Sequence, residues 1–255
     1  MIRKKAGEVE WLEFEIFSGE PKLVHGIFLR HGGVSIGPYS SLNLGNSVKE
    51  ESSSIEENRR RVLEALNISQ YAFCRQVHSD SIAIVEKQSG LIGEGDAMVT
   101  QQLDLGLMIL HADCQAAIIY DPIHGALANV HSGWRGNVKN IYRATVQKMV
   151  KIFGSKPQDL LVGISPSLGP DNAEFKNYRD EFPQAFWEFQ VRPEYFDLWA
   201  IARYQLEECG ILSHHIQIAE ICTFANPQDY FSYRRDYRKD KTIGLHGTLA
   251  MIRVC

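Results

Sequence analysis

The chain has 255 residues, 44% of them hydrophobic and 23% charged, with a formal net charge of −4. Such a composition builds a sizeable globular core, and its slightly acidic balance argues against general nucleic-acid binding. No apolar run reaches the roughly 18 residues that a membrane span needs. Glu8, Glu10, Glu13 and Glu15 interrupt the N-terminal stretch where a secretion signal would be apolar. The five cysteines, Cys74, Cys114, Cys209, Cys222 and Cys255, are odd in number and show no C-x-x-C spacing. Reduced thiols and a cytoplasmic protein are expected.

In chain order, "VHGIFLR" (24–30) predicts a strand and "HGGVSIGPYSSLNLGN" (31–46) a glycine-rich loop. A helix follows, with Ser54 as N-cap, Glu57 completing a capping box, and Ile55, Val62, Leu63 and Leu66 at helical spacing. The triplet Arg59–Arg61 reads as its solvated face. Strands over "AFCRQVH" (72–78) and "SIAIVEK" (81–87) flank His78-Ser79-Asp80, and "GEGDAMVT" (93–100) reads as a turn. The long apolar segment "LGLMILHADCQAAIIYD" (105–121) reads as a strand, a tight turn near Ala112-Asp113, and a second buried strand. "GALANVH" (125–131) predicts another strand. It leads through "SGWRGN" into a helix beginning near Val138, with Val138, Ile141, Tyr142, Thr145, Met149 and Ile152 facing inward and Gly154 at C′. "LLVGIS" (160–165), "IQIAEICT" (216–223) and "TLAMIRVC" (248–255) predict strands. "DLWAIARYQLEECG" (197–210) predicts a helix capped by Asp197 and stopped by Gly210. With no composition break, the residues point to one domain over 1–255, α/β or mixed α+β with buried mixed sheets.

Ionisable groups stand at the ends of these apolar segments, where an unbonded buried polar group costs on the order of 2–7 kcal/mol. His78, Cys114 and His131 each follow or end a strand, at a sheet edge where loops collect and ligands bind. Two imidazoles and a thiolate suit Zn²⁺ with a fourth position left open. On pattern alone, an inert core cysteine with two hydrogen-bonded histidines is the simpler reading. Asp113, next to Cys114, orients a ligating imidazole, works as a general acid/base, or closes a turn. Arg30, entering a loop with Gly32, Gly33 and Gly37, and Arg135, set before a helix, are candidates for holding phosphate. Ordinary surface pairing is the alternative for both. "YFSYRRDYRKD" (230–240), with Tyr233 and Arg234, reads as a base-stacking segment or as an exposed edge strand. The phosphate-loop, dinucleotide and H-E-x-x-H motifs are all missing.

At these same residues a resemblance emerges. "RQVHSD", "GEGDAMVT", "HADC", "NVHSGWRGN", "GISPSLGP" and "DYFSYRRD" occur in order, preceded by "LRHGGVS" and "SSLNLG". Over residues 24–235 the chain resembles the YfiH/YlmD-type laccase-domain family, described both as polyphenol oxidase-like and as purine nucleoside phosphorylase. The resemblance implies mixed β-sheets packed between helix layers, and zinc held by His78, Cys114 and His131. It implies phosphorolysis of adenosine, inosine and methylthioadenosine, with adenosine deamination at the same site. Asp113, Cys114 and His131 then become catalytic candidates, and Arg30, Asn43, Arg135, Tyr233 and Arg234 substrate-binding ones. Purine nucleosides and phosphate are the expected partners, with no nucleic acid and no membrane. His111 stands where many relatives carry threonine, and so bears on the site's acid–base groups.

A multicopper oxidase needs many histidines, typically in H-x-H pairs, whereas this chain has nine histidines and no such pair. Zinc is therefore favoured, although a His₂Cys set also binds copper. Three alternatives stay open: a Cys–His hydrolase or amidase with Cys114 as nucleophile and His131 as base, a copper-dependent polyphenol oxidase, and a metal-binding scaffold.

Overall fold

The computed structural model describes residues 1–45, 50–237 and 241–254. It opens with a hairpin that the sequence reading missed: β1 (Ile2–Ala6) and β2 (Val9–Glu13) turn at Gly7, whose φ of +59° suits glycine. β1 is exposed along its whole length and carries Arg3, Lys4 and Lys5, so it lacks the apolar alternation that marks a strand. Charge of this kind protects an edge strand from pairing with another chain.

The chain continues through β3 (Leu23–Phe28), α1 (Ser52–Ala65), β4 (Tyr71–Arg75), β5 (Ile82–Ile84), β6 (Gly90–Glu94) and β7 (Ala97–Thr100). The central apolar region forms β8 (Gly106–His111), β9 (Gln115–Asp121) and β10 (Ala126–Ser132), followed by α2 (Trp134–Lys139), α3 (Ile141–Phe153) and β11 (Leu161–Ile164). Then come α4 (Tyr178–Glu181), β12 (Gln190–Arg192), β13 (Tyr195–Phe196), α5 (Leu198–Glu207), β14 (Ile216–Ile218) and β15 (His246–Ile252).

Two mixed sheets result, ordered β1-β2-β3-β15-β8-β4-β6 and β14-β11-β9-β10-β7-β5. The two-residue period of a strand decides what each side chain packs against. Leu107 and Ile109 of β8, Ile118 and Tyr120 of β9, Leu127 of β10 and Ala250 and Ile252 of β15 fill the space between the sheets. Their neighbours face outward. Met108, Leu249 and Met251 meet Val62 and Leu66, while Ala117, Ile119, Ala128 and Val130 meet Tyr142, Val146 and Met149 of α3 and Ala202 and Leu206 of α5. The expected fold is present: mixed sheets between helix layers, in one domain. Asn129, buried on β10, ties the sheets together by donating to the carbonyls of Leu107 and Thr248 at 2.8 and 2.9 Å.

Several local expectations need correction. Glu51, not Ser54, precedes α1, and no side chain caps it. Glu57 instead pairs with Arg60 and Arg61. The arginine triplet is not one solvated face: Arg59 donates to the Leu44 carbonyl and Arg61 to that of Gly32, fastening the glycine-rich loop to the helix. The helix expected near Val138 starts at Trp134 and breaks at Asn140, which takes the left-handed conformation and caps α3 with its side chain. Val138 and Ile152 are exposed, and Val146 fills the inward face. Asp197 caps α5 through the Trp199 and Ala200 amides as expected, and Gly154 ends α3. "IQIAEICT" is a strand only over 216–218, and β4 stops at Arg75, short of His78. Tyr233–Tyr237 is a wide helical turn rather than an edge strand. Asn46, residues 238–240 and Cys255 lie outside the described residues.

The framework buries three histidines as neutral rings. Burial pushes His25 down to about 4 and His246 to about 3. His111, buried beside His246 and His131, also lies well below the ordinary imidazole value. The unfolded chain binds more protons than the folded one between these values and about 6.5, so stability rises with pH through that window. It is complete above about 6.5 and declines as the pH falls toward the folded values. Asp96, Asp121 and Asp229, held below the usual carboxylate range, add their losses only at lower pH. Denaturant unfolding at pH 5 should show about 2 kcal/mol less stability than at pH 7.5 for each histidine that stays neutral. An unfolding free energy that is flat between these pH values would refute it.

Candidate metal centre

Three separate stretches deliver the expected ligands. The turn at 112–114 carries the chain from β8 in one sheet to β9 in the other, with Asp113 at φ +81°, and places Cys114 at the seam. His131 lies on β10, on the same face as Leu127 and Asn129, and so points into that seam. His78 follows β4 in a loop where its own φ is +57°. One donor atom from each of His78, Cys114 and His131 lies within 4.8 Å of the others. His78 Nε2 is 3.9 Å from Cys114 Sγ, and the two imidazoles meet edge to face at 4.9 Å between centroids. His131 is buried, Cys114 half-buried and His78 exposed, so the cluster opens to solvent on the His78 side.

The donor set fits a metal ion. Tetrahedral bonds to zinc place sulfur and nitrogen donors about 3.6 Å apart, within a small side-chain adjustment of the observed spacing. Burial alone would raise the Cys114 thiol, but the neighbouring His131 and His78 bring it down to about 7. Burial would lower His131, but Cys114 and Asp96 raise it. The pair therefore favours the thiolate, the form a metal binds.

Gly133 leaves the room for this approach. A Cβ there would come within 2.8 Å of Cys114 Sγ and 3.1 Å of His78 Cδ2. Its φ of −80° is open to any residue, so the constraint is steric. Gly133→Ala should keep the fold and weaken metal binding by at least about tenfold, the scale of a disturbed ligand environment. Metal competition against a chelator checks this, and unchanged affinity would mean the ligands can move aside freely.

Asp96 is the residue that sequence reasoning missed. It is fully buried, and Oδ1 accepts from His131 Nδ1 and from the His78 amide, both at 2.9 Å. Oδ2 accepts from the Val77 amide at 3.2 Å and from the amide and hydroxyl of Ser79 at 2.6 and 2.8 Å. Its signal was present: a lone carboxylate directly before the fully buried strand Ala97–Thr100.

Among the described residues Asp113 has no histidine partner, which corrects the expectation that it orients a ligand. It is buried, and its carboxylate accepts from Thr223 Oγ1 at 2.6 Å, Ser232 Oγ at 3.0 Å and the Arg234 amide at 2.6 Å. It therefore fastens the Cys114 turn to the segment carrying Tyr233 and Arg234.

The other candidates separate by their partners. Arg30 stacks on Phe231 and donates from all three guanidinium nitrogens to the carbonyls of Ser40 and Pro227, so it is a loop clamp. Asn43 is also a clamp: its buried side chain bonds Gly45, Glu50 and the Leu245 amide. Arg135 lies in the first turn of α2, exposed and stacked 4.0 Å over Trp134, and its guanidinium makes no hydrogen bond to another described residue. Tyr233 is exposed and stacks on Tyr237 at 4.5 Å. Arg234 donates to the Glu174 carbonyl at 2.8 Å. His111 Nε2 bonds Thr248 Oγ1 at 2.8 Å within the seam.

Residues 24–253 match the family model described as multi-copper polyphenol oxidoreductase laccase. The chain belongs to this family. Among curated relatives, this laccase-domain chain is 32% identical to the purine nucleoside phosphorylase of Pseudomonas aeruginosa, over 85% of this chain and 89% of that one. It is 30% identical to the purine nucleoside phosphorylase YlmD of Geobacillus stearothermophilus, over 84% and 85% of the two chains. The crystal structure of YlmD from Geobacillus stearothermophilus superposes with a TM-score of 0.88 at 26% identity, covering 98% of both chains. Bacillus licheniformis YfiH shares the fold with a TM-score of 0.87 at 23% identity, covering 98% of this chain and 99% of that one. Among the described residues, no helix of the laccase-domain chain is long and apolar enough to cross a membrane.

Proposed function

We propose that this laccase-domain chain is a zinc-dependent purine nucleoside phosphorylase of broad specificity, acting on adenosine, inosine and methylthioadenosine, with adenosine deamination at the same centre. The observation that carries the reading is the convergence of His78, Cys114 and His131, open on one side, in a chain whose relatives are named purine nucleoside phosphorylases. Unpaired Cys74, Cys114, Cys209 and Cys222 fit a reducing, cytoplasmic setting. His78, Cys114 and His131 would hold the zinc, which would supply a Lewis acid.

In phosphorolysis a phosphate oxygen bonds to C1′ of the ribose, the C1′–N9 bond breaks, and its electron pair leaves with the purine, which takes up a proton. Arg135 replaces Arg30 as the candidate for holding phosphate, because its guanidinium makes no hydrogen bond among the described residues and it follows Gly133 by two residues. Tyr233 offers an exposed ring for stacking on the purine, and Asp113 holds that segment beside Cys114. Metal analysis together with a nucleoside panel, assayed with and without phosphate, tests this. Base release that needs phosphate, from protein carrying close to one zinc per chain, is the expected result. Base release that does not need phosphate, or full activity without metal, would overturn it.

A second reading has a specific observation behind it. Cys114, His131 and Asp96 also form a Cys–His–carboxylate series with a lowered thiol pKa, the arrangement of a nucleophilic hydrolase. Bound metal would occupy the thiolate and exclude that use. Copper oxidase chemistry draws less support, since His78, Cys114 and His131 are the one three-donor group found among the described residues.

A further inference from the structure

We propose that Asp96 is the positioning residue of the metal centre: one buried carboxylate fixes His131 through its ring and His78 through its backbone, so that both imidazoles present Nε2 to Cys114 before a metal arrives. The inference rests on the proposed metal centre but not on the purine chemistry.

A carboxylate only accepts hydrogen bonds. The 2.9 Å contact between Asp96 Oδ1 and His131 Nδ1 therefore keeps a proton on Nδ1, so that Nε2 is the nitrogen left to give up its proton to a ligand bond. Neighbours of this kind commonly set the tautomer of a ligating histidine. The effect on His78 is separate and runs through the main chain. His78 adopts a φ of +57°, a conformation that costs a non-glycine residue roughly 1–2 kcal/mol. The amides of Val77, His78 and Ser79 all turn toward the Asp96 carboxylate, which holds the loop in that shape. His78 Nε2 consequently stands 3.9 Å from Cys114 Sγ. The main chain of Asp96 adds to the link: its carbonyl accepts from the His131 amide and its own amide donates to Ser81. A loop of one sheet and a strand of the other are thus joined at a single side chain.

Asn at this position keeps the size but cannot satisfy every donor. An amide NH₂ turned toward His131 Nδ1 forces that nitrogen to accept, moving the ring proton to Nε2, where it blocks ligation. Turned the other way, the NH₂ faces the amides of Val77 and Ser79. Asp121→Asn is a matched control, because Asp121 is equally buried and bonds His124 Nδ1 at 2.9 Å, but His124 is no part of the cluster.

The test titrates Zn²⁺ against a competing chelator into metal-stripped wild type, Asp96→Asn and Asp121→Asn. Alongside it, the apo wild type and variants are examined by imidazole ¹⁵N NMR, and thiolate-to-metal absorption is followed with Co²⁺. Asp96→Asn should bind Zn²⁺ about 10–100-fold more weakly, lose the Nδ1-protonated signal of His131 and weaken the thiolate band. Asp121→Asn should keep wild-type affinity. Equal affinity in wild type and Asp96→Asn, or an equal loss in Asp121→Asn, overturns the proposal. If Asp96→Asn does not fold, the apo wild-type spectrum still decides, since a His131 whose Nδ1 carries no proton is incompatible with the proposal. A wild type that binds no metal would sink the metal centre itself, while the His131 tautomer still reports separately on Asp96.

Discussion

Replacing His78 by alanine should cost as much activity as replacing Cys114. Both variants remove one of three donors, and a metal supplies several kcal/mol of charge stabilisation. At about 1.4 kcal/mol per decade, a loss of roughly 10³-fold or more in kcat/KM for phosphate-dependent nucleoside cleavage follows in each case. His78 is the more informative position. It is exposed, so its truncation leaves the core packing intact. It is also no member of the Cys114–His131–Asp96 series, which a nucleophilic mechanism would use. Under that mechanism Cys114→Ala abolishes turnover while His78→Ala is mild. Zinc content and turnover measured on the same preparations separate the two. A mild His78→Ala variant that retains full activity without zinc would defeat the metal reading.

Asp113→Ala should instead be a stability variant. It leaves the hydroxyls of Thr223 and Ser232 and the amide of Arg234 facing a buried void where they had a shared acceptor. Each unsatisfied buried group costs about 1–3 kcal/mol, and a hydroxyl regains part of that by rotating toward another acceptor. A net loss of about 3 kcal/mol, or roughly 6–12 °C in Tm for a chain of this size, is expected. Because Asp113 touches none of the three ligand side chains, zinc content should survive. Asp113→Asn should be milder in stability, and should raise KM more than it lowers kcat by loosening the segment that bears Tyr233. A drop of about 10²–10⁴ in kcat with Tm and zinc unchanged would restore Asp113 as a general acid/base.

Much of this molecule was legible before folding because its physics is local. Strand and helix periods marked β8, β9, β10, α3 and α5, and Asp197 and Gly154 acted as their chemistry requires. Ionisable groups ending apolar runs marked His78, Cys114 and His131 as a possible ligand set, since a chain does not bury such groups without partners. Local signals failed where the partner was distant. β1 is recognisable as a strand only through its pairing with β2, and the Ser54–Glu57 pattern lost to the bonds of Glu57 with Arg60 and Arg61.

The residue types of the site, and their place beside apolar strand segments, were determined by the sequence itself. Which carboxylate serves the ligands was decided only by the tertiary structure. Asp113 is adjacent to Cys114 in the chain yet turns to Thr223, Ser232 and Arg234. Asp96 lies 18 residues from His78 and 35 from His131 and meets both. The same holds for Arg30 and Arg135, equivalent as basic residues beside glycine-rich turns but opposite in the fold, one spent on carbonyls and the other stacked on Trp134 with no hydrogen bond among the described residues. A side chain's role is set by the donors and acceptors that reach it, and those arrive through sheet register and loop crossing, which no local pattern encodes.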